Sequence, residues 1–151
     1  MKRRGVGILI AILLGLGLVL LNRKDLELVT QNKFLVRKIS ASGYELQSSI
    51  TINNPNLLSS TIETIEEEYR INGHVVSIMK MQLDQGIPGR KETTFPVNVR
   101  FDTETFKAAF PADTVLTGFN KTVDVTGKVT YHNFTGGGTL EIKIQDELNL
   151  D

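Results

Sequence analysis

The stretch that decides the fold runs from Tyr44 to Leu58 and reads YELQSSITINNPNLL. Its even positions are apolar at Tyr44, Leu46, Ile50 and Ile52, with Ser48 between them, and its odd positions are polar. This alternation predicts a strand with one face in a core and the other in water. The strand stops at Asn54-Pro55-Asn56, because proline has no N–H for the ladder and asparagine tolerates turn geometry.

Other segments alternate in the same way. The predicted strands cover residues 25–39, 44–53, 59–72, 75–83, 93–101, 123–131 and 140–144. Asp102 is a good N-cap for a short helix over 103–110 that buries Phe106 and Phe110. We therefore predict an all-β fold: a seven-stranded antiparallel β-sandwich, immunoglobulin-like or fibronectin III-like, with one short helix.

Segment 59–72 is open to two interpretations. Ile62, Ile65 and Tyr69 have helical spacing, and the glutamates at 66–68 favour a helix. A strand also fits, with Ile65, Glu67, Tyr69 and Ile71 on one face, if a bulge follows Ile62. The hairpin signal Asn72-Gly73 needs a strand before it, so we favour the strand.

The N-terminal segment, residues 5–21, holds 17 residues without a polar side chain, which as a helix would cover about 25 Å. No small-x-small cleavage site follows, so the sequence favours a retained single transmembrane helix over a cleaved signal peptide. The cluster Lys2-Arg3-Arg4 predicts a cytoplasmic N-terminus and an inner-membrane protein with a periplasmic or extracytoplasmic domain, although basic residues beyond the helix oppose this orientation.

The same segment carries Gly7, Ala11 and Gly15 at small-xxx-small spacing, which suits helix packing in a membrane. The competing explanation is that glycine is simply common in membrane helices. The predicted organisation is an anchor at 1–24, a sandwich at 25–146 and a frayed tail at 147–151.

Composition excludes several functions. Lys+Arg and Asp+Glu both total 17, and the body is slightly acidic once the N-terminal cluster is set aside, so we expect no nucleic-acid partner. The chain has no cysteine, which removes disulfides, thiolate metal sites and cysteine nucleophiles.

Catalytic signals are absent from the sequence as well. His74 and His132 are isolated, and there is no serine elbow, phosphate loop or zinc signature. Glu63, Glu66, Glu67 and Glu68 could hold a divalent cation, but a strand alternates them between faces, which favours a solvated acidic patch. We predict a non-enzyme with no cofactor and no metal.

A longer set of motifs carries a family resemblance. The strand 46–52 runs into Asn54-Pro55-Asn56, and Tyr69 and Gly73 follow in the pattern Ile65-x-x-x-Tyr69-x-Ile71-x-Gly73. Then come Ile87-Pro88, the strand 95–101, the short helix and Gly127-x-Val129-x-Tyr131. Over about residues 25–145 the chain resembles the group 2 late-embryogenesis-abundant domain, also called the water-stress and hypersensitive-response (WHy) domain. Its acidic run 66–68 departs from the usual pattern.

The resemblance implies a folded, non-enzymatic domain associated with desiccation and stress tolerance or tethered to a membrane. It implies a structural role for Asn54, Pro55, Asn56, Tyr69 and Gly73. The first hypothesis is a protective or scaffolding domain at the cell envelope, with the bilayer as partner through residues 5–21.

The alternative is a membrane-proximal module that accepts a lipid or acyl chain between its sheets, or an accessory subunit of an envelope protein complex. Its apolar lining would come from Met79, Met81, Phe95, Phe101, Phe106 and Phe110. A core role for Met79 and Met81 is the competing explanation.

Overall fold

The alternating segments form long strands in the computed structural model, which describes residues 2–110 and 122–150, with side chains described from Leu9 onward. The strands are β1 (Glu27–Lys38), β2 (Gly43–Asn54), β3 (Ser60–Ile71), β4 (His74–Ile87), β5 (Lys91–Asp102), β6 (Thr122–Asn133), β7 (Gly136–Glu147) and β8 (Asn149–Leu150). The helices are α1 (Lys2–Leu21) and α2 (Thr103–Ala109).

The strands form two four-stranded sheets, in the orders β5-β2-β1-β8 and β4-β3-β6-β7. All neighbours are antiparallel except β1 and β8, which run parallel. The alternating stretch before Asn54-Pro55-Asn56 forms β2, which lies between β1 and β5 and pairs with β5 along its whole length from Gly43 to Asn54. Its register therefore positions both of its neighbours.

One hydrophobic core takes side chains from both sheets and from α2. Its largest fully buried members are Tyr69, Tyr131, Phe34, Leu26, Leu46, Ile50, Ile52, Ile62, Ile65, Ile71 and Ile87. At the end of the sheets that holds α2, Asp102 caps the helix by accepting a hydrogen bond from the Thr105 amide (2.8 Å), and the Phe106 ring stacks on Tyr44. The predicted short helix is confirmed.

Segment 59–72 is a strand, as favoured. The register of β3 shifts between Ile62 and Thr64 against both β4 and β6, so a bulge moves Ile65, Glu67, Tyr69 and Ile71 onto the core face. The turn after β3 has positive φ at Asn72 (48°) and Gly73 (84°), as a tight two-residue hairpin requires.

The predicted fold class is wrong in two respects. The described strands number eight and not seven, because Leu148 is buried and β8 pairs with Leu35 and Val36 of β1, where the sequence predicted a frayed tail at 147–151. Within the described part of the chain no helix is long and apolar enough to cross a membrane.

The predicted transmembrane helix over residues 5–21 and the inner-membrane localisation are therefore wrong. The apolar run of 17 residues falls short of the roughly 20 that a spanning helix needs. On α1, Ala11 and Gly15 are exposed and no other atom approaches the Gly15 position, while Gly7 precedes the described side chains. Helix packing through these three residues stays a prediction.

Candidate functional site at the loop end of the domain

The Asn54-Pro55-Asn56 motif lies at the end of the sheets where α1 joins the sandwich, which we call the loop end (residues 22–26, 55–59, 88–91 and 133–136). Asn54 is fully buried. Its amide nitrogen donates to the carbonyls of Leu58 and Ile87, both at 3.0 Å, and its Oδ1 accepts the Asn56 amide at 3.0 Å. One side chain thus fixes the loop after β2 and the end of β4.

Asn56 continues this arrangement toward the N-terminal connection. Its Oδ1 accepts the Lys24 amide and its Nδ2 donates to the Lys24 carbonyl, each at 2.9 Å. Its own carbonyl accepts the Arg90 amide at 2.9 Å. The buried side-chain amide of Asn56 therefore bonds to both the backbone N–H and the backbone carbonyl of Lys24, as a neighbouring strand would, although the two residues are 32 positions apart.

Asn22 attaches the last turn of α1 to the same loop. Its Oδ1 accepts the Leu58 amide (2.6 Å) and its Nδ2 donates to the Leu18 carbonyl (2.7 Å). The Leu57 amide donates to the Leu21 carbonyl at 3.3 Å, which gives a carbonyl at the C-terminal end of α1 a partner. Asn22 is fully buried, so α1 is joined to the domain through a satisfied polar contact.

The other two predicted motif residues lie elsewhere. Gly73 is in the β3–β4 hairpin at the opposite end of β3, about 40 Å from the loop end for a strand of 12 residues. Tyr69 is buried between the sheets. The five motif residues therefore do not form one site, and each serves a separate structural purpose.

Tyr69 belongs to a polar cluster inside the core, which we call the core cluster (Gln31, Ser48, Glu67 and Tyr69). The Tyr69 hydroxyl donates to Glu67 Oε2, and Gln31 Nε2 donates to Glu67 Oε2 (3.3 Å), Tyr69 Oη (3.4 Å) and Ser48 Oγ (3.4 Å). Glu67 is only 2% exposed. Its Oε1 and the Oε1 of Gln31 have no partner among the described residues.

Burial raises the pKa of Glu67, and the hydrogen bonds from Tyr69 and Gln31 only partly oppose that rise. Burial and the adjacent carboxyl also raise the pKa of Tyr69 far above its usual range. Among the described residues, no salt bridge involves Glu67. The cluster therefore favours the protonated form of Glu67 more than water does.

A second buried tyrosine supports the loop end. The Tyr131 hydroxyl donates to Asp25 Oδ1 at 2.8 Å and accepts the Leu26 amide at 3.3 Å. Burial and the bond to Asp25 raise the pKa of Tyr131 to about 12. This contact ties the end of β6 to the segment that leads into β1.

The predicted acidic patch is only partly present. Glu67 points into the core, Glu66 pairs with Lys80 (2.9 Å) and Lys128 (3.7 Å), and Glu63 contacts His132 Nδ1 (2.9 Å). The hydrogen bond from Lys80 is the main reason that the pKa of Glu66 is lowered. No group of three metal-ligating side chains forms in the part of the chain that the structure describes.

The side chains proposed to line a lipid slot are used elsewhere. Phe95, Phe101 and Phe110 belong to the buried core, and Met79, Met81 and Phe106 pack against it. A concavity of about 600 Å3 lies instead on the outer face of β4-β3-β6-β7. It opens to solvent, and its lining includes Glu66, Lys128, Glu141 and Lys143 together with the exposed Ile78.

Sequence reasoning missed the burial of Asn22 and Gln31, because each is a polar residue in a segment whose phase is changed by a bulge or a helix end, so simple alternation assigns it to the surface. It placed Glu67 on the face of Ile65 and Tyr69 but did not identify its carboxyl as part of a buried polar cluster. β1 has two register shifts, after Leu28 and after Asn32, and these put Gln31 on the core face. The signal available for Asn22 was its position directly after an apolar helix, where asparagine often ends a helix.

Comparison with known proteins gives three findings. The family model described as late embryogenesis abundant protein matches residues 49–147. No curated protein matches the chain. Solved structures that share its fold include the following two. A solution structure from Arabidopsis thaliana is 14% identical, with a TM-score of 0.68, and the match covers 84% of this chain and 85% of that one.

The second is a crystal structure of a protein from Archaeoglobus fulgidus. It is 13% identical, with a TM-score of 0.59 over 83% of this chain and 98% of the other. At these identities the two structures establish the fold alone. The family match extends from the middle of β2 to the end of β7, and so takes in the whole β4-β3-β6-β7 sheet together with β5 and half of β2 from the other sheet. The chain belongs to the late embryogenesis abundant protein family.

Proposed function

We propose that this chain is a non-enzymatic stress-protective domain that acts in its folded form when water is withdrawn. The observation that carries this proposal is the family match over 49–147, which indicates a stress- or desiccation-related β-rich domain. The buried polar side chains agree with it, because Asn22, Asn54 and Asn56 all make hydrogen bonds within the fold. These amides have structural partners and are not displayed to a substrate.

The protective surface that we propose is the outer face of β4-β3-β6-β7. Lysines and glutamates alternate across it, with Glu66 between Lys80 and Lys128, and Glu141 and Lys143 beside them. Charged groups of both signs make strong hydrogen bonds with polar partners. Such a face could replace water around neighbouring macromolecules, while the sheet beneath it keeps its shape.

Within the family, the order of Asn54-Pro55-Asn56, Tyr69 and Gly73 favours the WHy type. This assignment rests on the motif pattern and is part of the proposal. Under it, the motif residues maintain the folded state and the charged face performs the protective work.

Drying a labile enzyme with the purified full-length chain tests the proposal. Lactate dehydrogenase dried with an equal mass of this protein should keep several-fold more activity than the same enzyme dried with lysozyme. The double variant Lys80→Gln, Lys128→Gln should lose much of that effect. Lys107→Gln on α2 is the matched control and should behave as wild type. Recovery no better than with lysozyme would contradict the proposal.

A further inference from the structure

The loop end carries an exposed apolar tip that the fold does not use. Leu57 is 43% exposed, Leu58 38% and Phe134 53%, and they lie on two adjacent loops beside the last turn of α1. The Leu57 amide contacts the Leu21 carbonyl, and the Thr135 hydroxyl lies 3.4 Å from the Asn22 carbonyl. We call Leu57, Leu58 and Phe134 the apolar tip.

The surface of α1 continues the apolar tip. Val19, Leu20 and Leu21 are all exposed, and consecutive helix residues point about 100° apart. Apolar side chains therefore face three directions around the end of the helix. The exposed apolar surface of this end of the domain therefore extends from the tip onto the helix.

Basic residues surround the apolar tip. Four of these are exposed: Arg23, Lys24, Arg90 and Lys91. They belong to the same loop end, because the Lys24 backbone bonds to the Asn56 side chain and the Arg90 amide donates to the Asn56 carbonyl. Lys91 is the strand partner of Asn54. None of the four takes part in a salt bridge with a described residue.

The acidic neighbours of these cations are Asp25, Glu27 and Glu92. Asp25 accepts the Tyr131 hydroxyl and Glu27 accepts the Asn53 amide group, so both have partners within the fold. The end as a whole carries a small positive excess around exposed apolar side chains. Anionic lipid surfaces favour this arrangement, in which apolar side chains reach the acyl boundary and lysine and arginine lie at the level of the phosphates.

We propose that the loop end docks on an anionic lipid surface, with Leu57, Leu58 and Phe134 entering the headgroup region and Arg23, Lys24, Arg90 and Lys91 contacting lipid phosphates. This contact requires no helix that crosses the bilayer. The Asn22, Asn54 and Asn56 hydrogen bonds would hold the two loops and the helix end in one rigid contact surface. The proposal goes beyond the protective role, which concerns a different face of the domain.

The absence of tryptophan from the chain gives a direct test. In the full-length protein, Phe134→Trp places the chain's single tryptophan on the apolar tip, and Ile39→Trp places it at the opposite end, where Ile39 is similarly exposed (41%). With phosphatidylglycerol vesicles whose acyl chains carry bromine, we expect at least about half of the Phe134→Trp emission to be quenched and that of Ile39→Trp to change little.

The cations are tested with a second pair of variants. Arg90→Gln, Lys91→Gln should reduce binding to phosphatidylglycerol vesicles several-fold and leave binding to phosphatidylcholine vesicles unchanged, whereas Lys107→Gln should change neither. Equal quenching of the two tryptophans, or no quenching of Phe134→Trp, would overturn the proposal. A blue shift of Phe134→Trp that depends on protein concentration and is insensitive to bromine would also overturn it, because a second copy would then cover the tip.

Discussion

Replacing Asn54 by alanine should destabilise the domain more than the same replacement at the neighbouring Asn53. The Asn54 side chain makes three hydrogen bonds of 3.0 Å, to the Leu58 carbonyl, the Ile87 carbonyl and the Asn56 amide. Each such bond contributes about 0.5–1.5 kcal/mol, so the three together contribute about 1.5–4.5 kcal/mol. The expected loss in the free energy of unfolding is the middle of this range, about 3 kcal/mol.

Asn53 provides the matched control because it is the same residue one position earlier. Its side chain makes one exposed hydrogen bond, to Glu27 Oε2 at 2.9 Å. Asn53→Ala should therefore lower the free energy of unfolding by about 0.5 kcal/mol or less. The two variants differ in burial and in the number of bonds lost, not in the chemistry of the substitution.

Urea unfolding followed by circular dichroism measures both variants. The full-length chain would be kept in a mild non-ionic detergent because of the exposed apolar side chains of α1. Asn54→Ala should shift the thermal midpoint down by about 6–12 °C in a chain of this size. If Asn54→Ala were no more destabilising than Asn53→Ala, the structural role assigned to Asn54 would be refuted.

Three further predictions follow from buried contacts. Folding raises the pKa of Glu67, so above about pH 4.3 the folded state binds more protons than the unfolded chain. The stability of the wild type should therefore fall with rising pH by up to about 1.4 kcal/mol per pH unit relative to Glu67→Gln. Urea unfolding of both proteins from pH 4 to 8 measures this difference, and parallel curves would refute it. A Cβ at Gly127 would lie 2.0 Å from the Glu66 carbonyl oxygen, so Gly127→Ala should lower the free energy of unfolding by about 2 kcal/mol or more. Gly86 has open space around it, so Gly86→Ala should lower it by less than about 1 kcal/mol. Equal thermal midpoints of the two variants would contradict this. Tyr131→Phe should lower stability by about 1–2 kcal/mol through the lost bond to Asp25, and an unchanged urea midpoint would argue against that contact.

The sequence predicts the strands well because alternation reports directly which face is buried. β2 and β5 extend only a residue or two beyond their predicted bounds, and the hairpin at Asn72-Gly73 lies where its signal placed it. The bulge after Ile62 could be proposed from the change of phase between Ile62 and Ile65. Local patterns were sufficient for these elements.

Contacts between distant segments could not be predicted in this way. The pairing of Asn56 with Lys24 joins residues 32 positions apart, and the contact of Tyr131 with Asp25 spans 106. Gln31 lies in a strand with two bulges, so its place on the core face depends on tertiary structure. Glu67 was on the correct face of the predicted strand, yet the hydrogen bond that it accepts from Gln31, 36 positions away, depends on tertiary structure.

The most direct test of the central claim, that this folded domain protects without catalysis, is the survival of its source cells after drying. A strain that lacks the protein should survive drying and rehydration several-fold less well than its parent. The wild-type chain should restore survival, and so should the fully folded variant Asn53→Ala. Unchanged survival of the deletion strain through drying and osmotic shock would contradict the account.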